Sequence, residues 1–202
     1  AIDYVTSESI PTLYALASHG ETEFSETMLG YIDNESIDVD SLKLLGAGKV
    51  PDDCSCIYIG NPSSDITADE AKVLKDYLAS GGNIILTTLY SSYSSEKMPN
   101  LASVCEYMGM RSVDGIVVEG NTSNYYRIAN YLLPNISSSG FIESSDRYVL
   151  MPSSHGIEAI DGVDGITVKP ILKTSSSSYI KPTDQTIKTL EREEGDKDGP
   201  TY

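Results

Sequence analysis

Short apolar runs alternate with amphipathic segments over residues 10–90, which is the pattern typical of an α/β fold. Three runs typical of buried strands cover Thr12–Ala17, Cys54–Ile59 and Asn83–Thr88. A further segment, Ser36–Leu42, alternates apolar and polar residues and so predicts a half-buried or edge strand. The sequence therefore predicts a sheet whose strands come early in the chain.

Two amphipathic segments predict helices that connect these strands. From Glu21 to Ile32, apolar residues recur at spacings of three and four, and acids crowd the start, so we assign Glu21 to the positive end of the helix dipole. The spacing Thr67-Ala-Asp-Glu70 predicts a capping box for a second helix. Because that helix lies between two apolar runs, it predicts a βαβ unit with parallel strands, in which Ile85 is buried. The expected fold class is α/β, a three-layer sandwich with a mainly parallel central sheet.

The pattern weakens in the second half of the chain, where the predicted elements are short. Leu101–Met108 predicts a helix that Gly109 ends. Short strands are predicted at Ile116–Glu119, Tyr148–Met151, Ile166–Val168 and Ile171–Leu172. The serine run at 175–178 predicts a solvated loop. These short elements do not decide the fold of residues 121–190.

The chain is strongly acidic, with 14 Lys and Arg residues against 30 Asp and Glu residues and a net charge of −16. Such a surface repels a phosphate backbone, so the composition argues against a nucleic-acid partner. Anionic lipid headgroups are disfavoured for the same reason. A docking partner with a basic patch is favoured instead.

Polar residues follow four of the predicted strands, at the edge where an open parallel sheet has its ligand crevice. The loops after Ala17, Ile59, Thr88 and Met151 should therefore converge. The candidate binding rim consists of Ser18, His19, Gly20, Glu21, Asn61, Thr88, Ser153 and His155. A serine, a histidine and an acid of this rim can be assembled into a nucleophile, a base and an orienting group. Because no Gly-x-Ser-x-Gly elbow occurs, a rim without catalytic residues is favoured.

The cysteines and the remaining motifs indicate no cofactor and no metal. Cys54 and Cys56 would point the same way from a strand, which hinders a mutual bridge, and Cys105 makes the number odd. The two histidines are too far apart to complete a zinc site with them. A Walker motif and a dinucleotide fingerprint are both absent from the sequence. We expect neither a disulfide framework nor a bound cofactor.

The order of these motifs resembles the extracytoplasmic domain of gliding-motility-type ABC transport auxiliary proteins. The resemblance rests on Ser18-His-Gly-Glu21, Val50-Pro-Asp-Asp53, Ile57-Tyr-Ile-Gly-Asn-Pro62 and Tyr77-Leu-Ala-Ser-Gly-Gly-Asn-Ile-Ile85, and it continues at Leu101–Gly109, Gly115–Val118 and Gly195–Pro200. The family usually has Gly where Ser18 stands and commonly Asp where Glu119 stands.

This resemblance implies a flavodoxin-like sheet, related to that of class I glutamine amidotransferases but without their catalytic cysteine. It implies that residues 1–202 form a single α/β domain on the extracytoplasmic side of a cell membrane, excised from a longer protein whose flanking segments span that membrane. The parent protein is then expected to work beside the permease and ATPase subunits of an ABC transporter. The leading hypothesis is a non-enzymatic accessory domain that binds a partner protein or an unidentified ligand.

Two other classes of function stay open at this point. One is a hydrolase or amidotransferase-like enzyme that uses the rim at His19 and His155. The other is a glycan-binding module, suggested by the 14 tyrosines. An elbow nucleophile would distinguish the enzyme, and a cluster of exposed aromatic side chains would distinguish the glycan-binding module.

Overall fold

The chain divides into two compact units, one running to Thr88 and the other from Leu89 to Tyr202. The computed structural model describes residues 10–46, 48–137, 148–182 and 187–202. The boundary between the units separates a parallel sheet in the first from antiparallel strand pairs in the second. The expectation of a single domain over residues 1–202 stays a prediction.

A four-stranded parallel sheet forms the first unit. Its strands are β1 (Thr12–Leu16), β2 (Asp38–Leu42), β3 (Cys54–Gly60) and β4 (Ile84–Thr87). They lie in the order β2-β1-β3-β4, and each neighbouring pair is parallel. The predicted mixed α/β class and parallel central strands are therefore confirmed, and β2 is an edge strand, as its alternating pattern predicts.

Helix α1 (Glu26–Asn34) begins later than the sequence predicts. The Ser25 side chain caps it by accepting a hydrogen bond from the Met28 backbone N–H at 3.2 Å. Residues before the cap belong to a loop, in which the Thr22 N–H donates to the Gly60 carbonyl at 2.6 Å. The assignment of Glu21 to the first turn of this helix is therefore wrong, because the cap competes successfully with the acidic run. No residue of α1 is buried.

Helix α2 (Ala68–Ala79) confirms the predicted capping box. The Thr67 side chain accepts from the Glu70 N–H at 3.2 Å, and the Glu70 carboxylate accepts from the Thr67 N–H at 2.8 Å. The helix buries Ala71 and Leu74. It ends at a turn where Gly81 has a φ of 91°, a value that favours glycine. Together β3, α2 and β4 form the predicted βαβ unit.

The core of the first unit is centred on β3 and not on β4. Ile57 is 0% exposed and Ile59 is similarly buried, whereas Ile85 is 52% exposed. The prediction that Ile85 is buried is therefore wrong. The physical reason is that β4 is an edge of this sheet, so its side chains are covered less completely than those of the central strand.

The second unit contains α3 (Pro99–Tyr107) and short antiparallel strand pairs. Its described strands are β5 (Met110–Val113), β6 (Ile116–Val118), β7 (Tyr131–Leu132), β8 (Asn135–Ile136), β9 (Met151–Pro152), β10 (Gly156–Ala159), β11 (Leu172–Lys173), β12 (Tyr179–Lys181) and β13 (Lys197–Asp198). β5 pairs with β10, β7 with β9, β8 with β11, and β12 with both β6 and β13.

The strand predictions for the second unit hold only in part. The α3 helix and the strand at 116–118 are confirmed. The predicted strand Tyr148–Met151 is reduced to β9, which begins at Met151, and Ile166–Val168 is not a strand. The strand at 171–172 is displaced to β11, and β5 and β10 were not predicted. Ladders this short have too few residues to show a recognisable period.

Side chains on both faces of strand β6 are buried in the core of the second unit. Val117 packs with Val113, Leu132 and Ile180, whereas Ile116 and Val118 pack with Tyr179. A strand with apolar residues on both faces is expected where both faces are covered.

Buried charges fix the chain around this core. The Glu119 carboxylate accepts from the Ser175 hydroxyl at 2.6 Å and from the Asn121 N–H at 2.9 Å. Lys181 Nζ donates to Glu193 at 2.9 Å and to Asp196 at 3.0 Å; burial lowers the pKa of Lys181, but these two hydrogen bonds raise it by more. The serine run is not fully solvated as predicted, since Ser178 is buried.

No helix in the described part of the chain combines the length and the apolar composition that a membrane crossing requires.

The core can be tested by comparing two isoleucines of neighbouring strands. Ile57→Ala should lower the free energy of unfolding by about 2–5 kcal/mol, because it leaves a cavity in the centre of the sheet. Ile85→Ala, the matched control, should cost below about 1 kcal/mol because half of that side chain is already in water. Urea denaturation followed by circular dichroism measures both, and equal losses would contradict this account of the core.

Candidate functional site

A cleft of about 530 Å³ lies at the carboxyl end of β1 in the first unit, against the middle of β2 and Tyr58 of β3. Its lining consists of Ala15, Leu16, Ala17, Ser18, Gly20, Glu21, Thr22, Glu23, Phe24, Leu29, Val39, Asp40, Ser41 and Tyr58. The loop that joins β1 to α1 supplies much of this lining. β1 and β3 lie side by side at the point where the strand order reverses. An open parallel sheet forms its ligand crevice at such a point. Three predicted rim residues, Ser18, Gly20 and Glu21, line the cleft.

His19 does not line the cleft but lies buried behind it, between two carboxylates. Its Nδ1 lies 3.1 Å from Glu21 Oε1, and its Nε2 lies 3.1 Å from Glu70 Oε2. The backbone N–H of His19 also donates to Glu21 Oε2 at 2.7 Å. Both ring nitrogens therefore face carboxylate oxygens. We call these three residues the His19 bridge.

The backbone of the same loop is held by the loop after β3. The His19 carbonyl accepts from the N–H groups of Ser63 and Ser64 at 2.9 and 3.1 Å, and both serine hydroxyls lie 3.2 Å from it. Gly20 packs so closely that an added Cβ would collide with the Ser63 hydroxyl, and its φ is 71°. Glycine at position 20 is thus favoured by the backbone conformation, and a larger residue would also displace the Ser63 hydroxyl.

Glu70 has two roles, since its carboxylate closes the capping box of α2 and also contacts His19. Glu70 Oε2 accepts from the Thr67 hydroxyl at 2.8 Å in addition to the Thr67 N–H and the imidazole. Burial raises the pKa of Glu70, but the hydrogen bonds from Thr67 and the contact with His19 lower it below its usual range. The other oxygen, Glu70 Oε1, is buried and accepts no hydrogen bond from the described residues.

This geometry removes His19 from acid–base chemistry in the cleft. A general base needs an accessible nitrogen lone pair within reach of a substrate proton. Both nitrogens of His19 are instead engaged by buried carboxylates, so they cannot activate Ser18, which lies exposed at the surface. The side chain stabilises the loop and leaves the wall of the cleft to other residues.

The cleft combines negative charge with an aromatic wall. Its charged lining residues are Glu21, Glu23 and Asp40, and no Lys or Arg of the described chain lines it. Phe24 stacks on Tyr58 with ring centroids 4.3 Å apart. Carboxylates beside aromatic faces bind alkylammonium and guanidinium groups through ion pairing and cation–π attraction.

The remaining predicted rim residues do not form a catalytic constellation in this cleft. Asn61 follows β3 with a φ of 44°, and its N–H donates to the Thr87 carbonyl at 2.8 Å; Thr88 follows β4. Neither residue lines the cleft.

Ser153 and His155 belong to the second unit. They follow β9, which pairs antiparallel with β7, so the prediction that this loop follows a strand of the parallel sheet is wrong. The Ser153 hydroxyl accepts from Asn130 at 3.1 Å. His155 stacks on Tyr93 and places Nδ1 3.1 Å from the Gly156 carbonyl, and burial lowers its pKa.

The described residues offer no cluster for a metal, and burial disfavours the thiolates of two of the three cysteines. They contain no group of three or more His, Cys, Asp or Glu side chains arranged to hold a metal ion. Cys54, Cys56 and Cys105 are free and partly buried. Burial raises the pKa of Cys56 and of Cys105, which disfavours the thiolate form that nucleophilic chemistry needs.

Several residues of the cleft and of the His19 bridge have roles that the sequence does not predict. The capping box accounts for Glu70 in the sequence, but its contact with His19 spans 51 positions and has no local signal. Phe24 was placed within a helix, and Asp40 and Tyr58 were assigned only to strands. The alternation that predicts β2 and the position of β3 beside β1 could have pointed to these side chains, once the strand order was known.

Comparison with known proteins supports the fold and no more. No protein-family model matches the sequence, and no curated protein matches it. Among solved structures, the mmIFT52 N-terminal domain matches with a TM-score of 0.60 and 18% sequence identity, over 83% of this chain and 74% of that chain. At this identity the likeness extends to the α/β fold alone.

The His19 bridge predicts a specific dependence of stability on pH. Because the pKa of Glu70 is lower in the folded than in the unfolded chain, its contribution is present above the ordinary glutamate range and is lost as pH falls through the folded pKa. Glu70→Gln should therefore destabilise the protein by about 1–3 kcal/mol at pH 7 and by much less in acid. Urea denaturation of both forms at pH 7 and pH 3 measures the difference, and Glu35→Gln, an exposed glutamate, is the control. A difference that does not change with pH would contradict the bridge.

Ser18 predicts a stabilising substitution, because a non-glycine residue holds a φ of 115° there. Relief of strain worth about 1–3 kcal/mol should outweigh the greater entropy of an unfolded glycine, about 0.5–1 kcal/mol. Ser18→Gly should thus raise the melting temperature, whereas Ser41→Gly in the extended strand β2 should lower it. A fall in melting temperature with Ser18→Gly would exclude strain at this position.

Proposed function

We propose that this chain is a non-enzymatic accessory domain that binds a basic partner protein through the first unit. The binding surface consists of the acidic cleft and the exposed apolar side chains of α1. The observation that carries the proposal is that α1 exposes Met28, Leu29 and Tyr31 and buries none of its residues. A helix that displays apolar side chains to water beside a cleft is typical of a protein interaction site.

Charge selects the class of partner. The cleft presents the exposed carboxylates of Glu23 and Asp40, and the whole chain has a net charge of −16. A partner whose contact surface carries Lys or Arg beside apolar groups would complement the carboxylates, the Phe24–Tyr58 pair and the helix. Leu29 belongs to both the cleft lining and the exposed helix, so the two features are continuous.

The arrangement of His19 supports a binding role over the hydrolase or amidotransferase-like alternative. An enzyme of that kind needs a nucleophile with a base in hydrogen-bonding reach. The imidazole of His19 is bound by Glu21 and Glu70, and burial raises the pKa of the Cys56 and Cys105 thiols, which disfavours their thiolate forms. Turnover of ester, amide or glutamine substrates that disappears in both Ser18→Ala and His19→Ala would refute the non-enzymatic role.

The transport assignment extends this proposal through the sequence resemblance. On that assignment, the domain lies on the extracytoplasmic side of a cell membrane, is tethered by flanking segments, and acts with the permease and ATPase subunits of an ABC transporter. The basic partner would then be one of these subunits or an associated protein.

A flavodoxin-like, three-layer architecture is the finer fold that we propose. The order β2-β1-β3-β4 supports it, because flavodoxin-like sheets begin with the order 2-1-3-4. With right-handed crossovers, the connections from β1 to β2 and from β3 to β4 run in opposite directions, which puts α1 and α2 on opposite faces.

The proposal predicts a charge-dependent association. The full-length protein should recover an ABC permease or ATPase subunit, identified by mass spectrometry, and recovery should fall as salt rises from 0.05 to about 0.5 M because screening weakens the ion pairs. Glu23→Gln with Asp40→Asn should reduce recovery several-fold, and Tyr31→Ala should reduce it through lost apolar contact.

The matched control is Glu35→Gln with Asp52→Asn, which removes the same charge from exposed positions outside the cleft. Equal losses for the two double variants would show that net charge, and not the cleft, governs association. A parent gene that encodes no transmembrane segment and lies apart from any transporter gene would overturn the transport assignment and leave the binding surface intact.

A further inference from the structure

The second unit contains an apolar pocket of about 280 Å³ that the proposed function does not use. Part of its lining belongs to the core of this unit, since Val117 of β6 and Leu132 of β7 are 1% and 4% exposed. Another part reaches the surface at Met151, Ile157 and Ile171, which are between 36% and 39% exposed. We call these three residues the mouth of the pocket. The pocket therefore connects the surface with the hydrophobic core.

Hydroxyl and backbone groups beside the pocket bond to one another. Thr174 Oγ1 lies 2.8 Å from the Ser178 hydroxyl and accepts from the Thr201 N–H at 2.8 Å. The Thr201 hydroxyl donates to the Ile157 carbonyl at 3.1 Å, and the Ile157 N–H donates to the Tyr202 carbonyl at 2.8 Å. These groups are satisfied without a ligand. A guest rich in hydrogen-bonding groups would therefore lose its bonds to water and gain few from them.

The two nitrogen-bearing side chains of the described lining are engaged as well. His155 places Nδ1 3.1 Å from the Gly156 carbonyl, and its ring stacks on that of Tyr93 with centroids 5.7 Å apart. Lys169, the one lining residue of the described chain with a full charge, also interacts within the protein. An anionic guest would have to compete with that interaction, and a cationic guest would meet a like charge. The lining thus favours a guest without charge.

The volume of the pocket sets the size of the guest. One water occupies about 30 Å³ of liquid, so 280 Å³ corresponds to roughly nine non-hydrogen atoms. For comparison, an apolar cavity of about 150 Å³ in another protein holds benzene. A hydrocarbon somewhat larger than benzene therefore matches this pocket.

Apolar burial provides the driving force for binding. A guest removes its own apolar surface from water and also covers the exposed side chains of the mouth. Two methionines of the lining, Met110 and Met151, have flexible side chains that can adapt to the shape of the guest.

We infer that this pocket binds a small, uncharged, hydrocarbon-like molecule of about nine non-hydrogen atoms. The lining accepts such a molecule because it offers apolar volume and because the polar groups described above already have partners. Charged molecules of the same size are excluded, since burial would remove their hydration without supplying an ion partner that is not already engaged.

The methionines provide a direct test in the intact chain. The protein has five, of which Met110 and Met151 line the pocket, whereas Met28 lies in the first unit. With methyl-labelled methionine, titration of indane should shift the Met110 and Met151 signals in NMR spectra to saturation and leave Met28 unchanged. Benzoate and benzamidine have as many non-hydrogen atoms as indane but carry a negative and a positive charge. Both should bind at least about tenfold more weakly than indane.

Tryptophan substitutions test the location of the site. Ile171→Trp should fill the mouth and weaken indane binding at least about tenfold, whereas Ile128→Trp, at an exposed position outside the pocket, should leave it within about twofold. Unchanged Met28 and Met98 signals would show that each variant remains folded. Ile157→Trp, also at the mouth, gives the same test if Ile171→Trp does not fold.

Three outcomes would overturn the inference. The first is an indane titration in which no methionine shifts, or in which all shift alike, as nonspecific adsorption would produce. The second is benzoate or benzamidine binding as tight as indane binding, which would remove the selectivity against charge. The third is a Met151 signal that moves with protein concentration alone while sedimentation shows a dimer, which would mean that a second copy covers the mouth.

Discussion

The His19 bridge determines the geometry at the carboxyl end of the parallel sheet. It joins the loop after β1 to the first turn of α2 through side chains that are almost fully shielded from water. Burying such groups is costly unless each finds hydrogen-bonding partners, and here the imidazole and the Thr67 cap supply them. The position of the cleft follows, because anchoring His19 behind the loop directs its neighbours Ser18, Gly20 and Glu21 into the lining.

The His19 bridge fixes the shape of the loop and engages the histidine that could otherwise act in acid–base chemistry. A histidine beside a serine in the sequence resembles part of a catalytic site, but an imidazole held by two carboxylates contributes rigidity. Glu21 faces both ways, since it contacts His19 and also lines the cleft. Because both of its oxygens contact His19, the exposed carboxylates of the cleft are those of Glu23 and Asp40.

Local signals in the sequence predict most of the strands and helices of the first unit, but they carry no information on contacts between residues that are distant in the chain. The capping box at Thr67 and Glu70 depends on a three-residue offset, and the βαβ unit depends on runs that are adjacent in the chain. Glu21 was misplaced because an acidic run resembles a helix start even where Ser25 provides the cap. Ile85 was taken as buried because an apolar run does not reveal whether its strand is central or at an edge. The second unit contains strands as short as two residues, and such strands are too short to show an alternation of apolar and polar positions.

Charge at the cleft acts in the same sense at long and at short range. Local carboxylates and the net charge of −16 both favour a cation there, so long-range steering and contact act together. Salt at 0.15 M reduces interactions beyond about 8 Å, which weakens the diffuse attraction of the whole chain more than a contact with Glu23 or Asp40. A partner held mainly by contacts at the cleft therefore keeps part of its affinity at physiological salt, whereas one attracted only by the net charge does not.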